Sequence, residues 1–90
     1  MPKSRKPHAA DIASAKMIRT ANRFAVHMRL GPSEVRNTTC TDADHALAEA
    51  DRMTRELGQF GRRACAYAIT PENYTVHITP ALLALAREIA

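Results

Sequence analysis

Tryptophan is missing from this chain, and phenylalanine and tyrosine together supply only 4% of it. Proteins that hold successive bases of a single strand do so on several exposed rings, so the composition disfavours a base-stacking platform. Glycine is nearly as scarce: Gly31, Gly58 and Gly61 all fall in predicted loops, which excludes a glycine-rich phosphate loop or a dinucleotide fingerprint. Cys40 and Cys65 are the only cysteines. They are too far apart for a CxxC redox pair and supply at most half of a four-ligand metal site. No apolar run is long enough to span a membrane. The basic N-terminal residues also lack the continuous apolar stretch of a signal peptide. These absences predict a cytoplasmic protein with two free thiols and no membrane insertion.

Acidic residues are scarce in one region only. Residues 1–23 carry Lys3, Arg5, Lys6, Lys16, Arg19 and Arg23 against Asp11 alone, a balance of +5, whereas residues 24–90 balance at −1. The formal net charge of +4 therefore belongs to an arm and not to a body. Charge concentrated in this way attracts a polyanion through the release of its counterions.

The 90 residues suffice for one domain. A hydrophobic share of 46% argues against wholesale disorder, although much of it is alanine, which buries little area. Large core candidates such as Phe24, Met28, Met53, Phe60 and Ile78 are few. At roughly 1.5–3 kcal/mol per fully buried side chain, the set barely outweighs the ordering entropy of the chain. A homodimer interface is expected to supply the missing burial.

Residues 1–10, with two prolines and three basic groups, predict a disordered basic arm. Residues 11–90 form the domain and open with a short helix over 12–22. Phe24, Val26, Met28 and Leu30 alternate with His27 and Arg29, the pattern of a strand in a sheet with one covered face. Gly31-Pro32-Ser33 breaks that strand, and the polar run from Val35 to Cys40 suits a short edge strand. A helix follows from about Asp42 to Leu57, with Thr41 as N-cap, Asp44 completing a capping box and Gly58 ending it. Phe60 is expected to plug the edge of the core. Ala64 to Ile69 predicts a central strand, because neither of its faces is strongly polar. The turn Thr70-Pro71-Glu72-Asn73 joins it to a second strand, Tyr74 to Thr79, in an antiparallel hairpin. Thr79 and Pro80 then open a last helix that buries Ala81, Leu82, Leu85, Ala86 and Ile89. The order β-(β)-α-β-β-α predicts an α+β fold: a small, mainly antiparallel sheet with one face covered by helices.

Little in this pattern points to chemistry. His27 and His77 project from the polar sides of strands and would share a proton or metal only if those strands were neighbours. No third ligand has a fixed spacing, so both are expected to be solvated and no metal or cofactor is implied. Ser4, Ser14 and Ser33 have no locally arranged base, Cys65 reads as a buried strand thiol, and Asp42 and Asp44 are accounted for as helix-start groups. The expectation is a protein that is not an enzyme. Lys3, Arg5, Lys6, Lys16, Arg19 and Arg23 are the candidate phosphate contacts for DNA or RNA. Within one helix Lys16, Arg19 and Arg23 would form a single basic stripe, which His27 and Arg29 or the Arg62–Arg63 corner would extend. No helix-turn-helix or zinc-finger pattern is present. The alternative is a regulatory adaptor that meets a protein partner through its sheet edge or alanine-rich helix faces.

Overall fold

The structure, a computed structural model, describes residues 8–89. The predicted arm lies mostly outside them, and Lys3, Arg5 and Lys6 with it. Its last two residues, Ala9 and Ala10, already belong to α1 (Ala9–Thr20). The helix expected over 12–22 thus begins and ends earlier. Alanines at 9, 10, 13 and 15 favour helix and carry it toward the N-terminus, while Ala21 has extended dihedrals (φ −64°, ψ 144°). Arg23 is therefore already in β1 and cannot share a helical stripe with Lys16 and Arg19.

Four strands follow the alternation of the sequence: β1 (Arg23–Arg29), β2 (Val35–Cys40), β3 (Cys65–Ile69) and β4 (Thr75–Ile78). They form one antiparallel sheet in the order β2-β1-β3-β4. The register sets Val26 opposite Thr38 on one side and Ala66 on the other, and continues from Ala66 to Ile78. This row faces the helices, and Val26, Met28, Ala66, Ala68, Val76 and Ile78 are all buried along that side. The other side carries Arg23, Ala25, His27 and Arg29 in register with Tyr67, Cys65 and Ile69. β2 is an edge strand, as its polar composition predicts, and its Arg36 stays exposed although paired with buried Met28.

All three helices lie on the buried face of the sheet. α2 (Ala43–Leu57) covers β1 and β3 with Ala43, Ala46, Ala50 and Met53. Its alanines allow a close approach to the sheet. Met53 is 1% exposed and fills the space the alanines leave. Its N-cap is Asp42, not Thr41: the Asp42 carboxylate accepts the His45 backbone N–H at 2.8 Å. The His45 ring then accepts the Thr41 N–H at 3.1 Å, so a histidine supplies the return bond expected of Asp44. Asp44 instead pairs with Arg87 on α3 (Pro80–Glu88).

α1 packs over β3 and β4, and α3 packs against α1. α3 starts as its sequence predicts, with Thr79 Oγ1 accepting the Leu82 N–H at 3.1 Å and Pro80 in the first turn. Its deepest side chains are Leu83 and Ala86; Leu82, Leu85 and Ile89 are half-buried and Ala81 is exposed. Packing against α1 rotates the buried stripe by one residue relative to the expected one. Arg19 Nη1 donates to the Ala86 carbonyl at 3.0 Å and joins the last turns of the two helices.

Candidate nucleic-acid interface

The outward face of the sheet is the largest surface left uncovered by the helices. Its centre is Tyr67 on β3, between Ala25 on β1 and His77 on β4. The Tyr67 and His77 rings stand 5.5 Å apart at 38°. His27 lies opposite Cys65 and donates from Nδ1 to Asn37 Oδ1 at 2.8 Å. β3 separates the two histidines, so they are not on neighbouring strands, and strand spacing and register put their Cα atoms about 12 Å apart. Among the described residues no cluster of three or more His, Cys, Asp or Glu can hold a metal ion. Partial burial, followed by the adjacent Cys65, pushes the Tyr67 phenol above its ordinary range, so it remains a neutral ring at physiological pH.

Charge is sorted between the two layers. No carboxylate occupies an outward position on any strand, whereas Arg23 and Arg29 stand at the two ends of β1. Both guanidinium groups are positioned by neutral acceptors. Arg23 Nη2 donates to Asn73 Oδ1 and to the Thr70 carbonyl. Arg29 Nη1 donates to the Pro32 carbonyl at 2.9 Å. A guanidinium has five N–H donors, so each arginine keeps its charge and most of its donors. On α2 and α3 the arginines are ion-paired instead. Arg52 bonds Glu49 and Glu56, Arg55 pairs with Asp51, and Arg87 with Asp44. The bond from Arg52 holds the Glu49 carboxyl below its usual range.

The other candidate contacts are dispersed. Lys16 and Arg19 are exposed on α1, on the helical side of the sheet from Arg23. Arg62 and Arg63 occupy the corner between α2 and β3, which contains one 3-10 turn, Gln59–Gly61. Phe60 in that turn does not plug the core: it is 89% exposed, at φ 58° and ψ 33°, with Arg62 over its ring at 5.6 Å. A left-handed backbone is costly for a residue with a bulky side chain. Phe60 stands two residues beyond Gly58, where a Cβ would come within 2.6 Å of the Thr54 and Arg62 carbonyl oxygens, so that the exit from α2 has room only for glycine. α1 leads into β1 through only Ala21 and Asn22 and docks its last turn on that of α3. Its N-terminus therefore opens toward the end of the sheet where α3 begins and the Arg62–Arg63 corner lies.

No protein-family model, curated protein or solved structure matches this chain. Among the described residues, no helix is long and apolar enough to cross a membrane.

Beside the sheet, a cleft of about 580 Å³ opens between α2 and the start of α3. Leu47, Ala50, Ala64, Ala66, Ile78 and Pro80 give it an apolar lining, with Asp51, Arg63 and His77 as its ionisable groups. Asp51 is paired with Arg55. The cleft thus offers an apolar groove without a concentration of one charge.

Proposed function

We propose that the protein binds nucleic acid through its phosphate backbone, with Arg23 and Arg29 on the open sheet face as the ordered contacts. Lys3, Arg5, Lys6, Lys16 and Arg19 add long-range attraction, and Arg62 and Arg63 are outlying contacts at the corner. The observation that carries this reading is the distribution of charge: Arg23 and Arg29 stand on a sheet whose strands carry no carboxylate, whereas the arginines of α2 and α3 are ion-paired. A surface shaped for a protein partner has no reason to exclude every acid, whereas a polyanion site does. The proposed role is non-enzymatic, as an accessory or regulatory protein. The affinity falls steeply with salt, because phosphate neutralisation is its main source.

A salt titration of affinity for a labelled oligonucleotide tests the reading. The full-length protein is compared with a variant in which Lys3, Arg5 and Lys6 are glutamine and another carrying Arg23→Gln and Arg29→Gln. Each phosphate contact removed lowers the salt slope by roughly 0.7 for single strands or 0.9 for duplex. No binding by the wild-type protein at low salt removes the nucleic-acid reading. The second reading, a protein-interaction module, then rests on the apolar cleft and on Phe60, whose exposure suits an anchor for a partner.

A further inference from the structure

We infer that the open face takes unpaired nucleic acid, with one base laid against Tyr67 and the backbone following β1 between Arg23 and Arg29. The inference rests on the nucleic-acid reading above and narrows it to single strands. Three features of the face support it.

The first is the setting of the ring. Tyr67 is half-buried at the centre of the sheet, and Ala25, the smallest side chain available, is its register partner on β1. Ala25 leaves room beside the ring, while His77 supports it from the other side. A base that lies there meets an aromatic surface backed by a rigid strand, the arrangement that makes stacking effective.

The second is span. Arg23 and Arg29 are at the two ends of one strand, about 20 Å apart at the rise of an extended chain. Both are oriented by hydrogen bonds to neutral acceptors, so the phosphate-facing donors are held in place before a ligand arrives. The acid-free strip between them contains His27, whose one donor is already bound to Asn37 and which adds no negative charge.

The third is shape. A duplex presents its base edges inside grooves, which are entered by a helix, a ribbon or an arm. A sheet face with no protruding element at its centre meets only the outside of a duplex, but it accommodates splayed bases. A second copy of this chain fits poorly as an occupant, because face-to-face pairing would bring Arg23 and Arg29 of both copies onto one surface without a counter-charge. Low aromatic content, which counts against a platform for several bases, is compatible with a single stacking position.

The test uses the absence of tryptophan. Tyr67 and Tyr74 are the only tyrosines, so Tyr74→Phe leaves Tyr67 as the sole emitter. Titration of that variant with oligouridine is expected to quench its fluorescence as the strand binds. In parallel, affinities for a single-stranded oligonucleotide and its duplex are measured for wild type, Tyr67→Leu and Tyr67→Phe. The leucine variant is expected to lose about tenfold on the single strand, within the range for one stacked base, and nothing on the duplex. The phenylalanine variant keeps the ring and binds as wild type. Equal single-strand binding by all three proteins, tighter binding to duplex, or unquenched fluorescence at saturation overturns the inference while leaving the phosphate reading intact. If Tyr67→Leu does not fold, the fluorescence titration decides alone. Failure of wild type to bind either form overturns both.

Discussion

Replacing Gly58 with alanine is expected to destabilise the protein by about 1–3.5 kcal/mol. A methyl group built at that position meets the Thr54 carbonyl oxygen at 2.3 Å and the Arg62 carbonyl oxygen at 2.6 Å. Neither neighbour is a flexible side chain, and Thr54 O already accepts the Gly58 N–H at 3.0 Å. Room for the methyl requires a main-chain shift, with an overpacking cost of about 1–3 kcal/mol. It also loosens a hydrogen bond worth about 1 kcal/mol. The gain from a stiffer unfolded chain offsets only about 0.4–1 kcal/mol. The backbone itself is compatible with alanine at φ −82°, so the penalty is one of space. Urea unfolding followed by circular dichroism measures it: the midpoint falls while the slope stays constant. Gly31→Ala is the control, because its added methyl meets nothing nearer than the Glu34 Cβ at 3.9 Å. A Gly58→Ala protein as stable as wild type refutes the lack of space at the α2 exit.

Phe60→Asn is expected to raise the urea midpoint, since asparagine tolerates the left-handed backbone at a saving of about 1 kcal/mol and an 89% exposed ring buries little; a lower midpoint would mean that the ring is packed. Glu49 has a lowered carboxyl pKa through its bond from Arg52, so its stabilising effect is present at neutral pH and is lost as the pH falls through that lowered value. Glu49→Gln should therefore reduce stability at pH 7 and leave the acid end of a stability–pH curve unchanged; a deficit of equal size at every pH contradicts this. Burial, with smaller effects from Glu49 and Asp42, pushes the Cys40 thiol up, whereas Cys65 is half-exposed. A thiol reagent should label Cys65 first, and equal labelling rates by mass spectrometry would contradict the burial of Cys40.

Local pattern made much of the fold legible. The alternation from Phe24 to Leu30, the helix from about Asp42 to Leu57 and the Thr79-Pro80 start each describe an element by its own periodicity or cap. The hairpin also follows from local chemistry: Asn73 takes the left-handed position at φ 72°, and Thr70 accepts the Tyr74 N–H on its hydroxyl. What depended on strand order was hidden. The spacing of His27 and His77 is decided by β3 lying between their strands, a tertiary fact with no local signature. The stripe of Lys16, Arg19 and Arg23 failed because the chain leaves the helix at Ala21, two residues before the last of them. Phe60 looked like a core residue by composition, yet it stands in a left-handed 3-10 turn and is exposed. The candidate site was legible only in part, Arg23 as a candidate contact and His27 and Arg29 as its extension, for a related reason. Arg23, Ala25, His27, Arg29 and Tyr67 come from two strands that are distant in sequence, and the absence of acids between them shows only when the register puts them side by side. The alternation of His27 and Arg29 against the apolar row was the one signal that this face existed.

The central claim is that nucleic acid lies on the open sheet face, and amide-resolved NMR of isotope-labelled protein tests it most directly. A short single-stranded oligonucleotide is added at low salt while each backbone amide is followed. The account predicts shifts centred on Ala25, His27, Tyr67 and His77, with Glu49, Arg52 and Arg55 on the outer side of α2 unmoved. Shifts confined to α2 and α3, or none at any oligonucleotide concentration, contradict it.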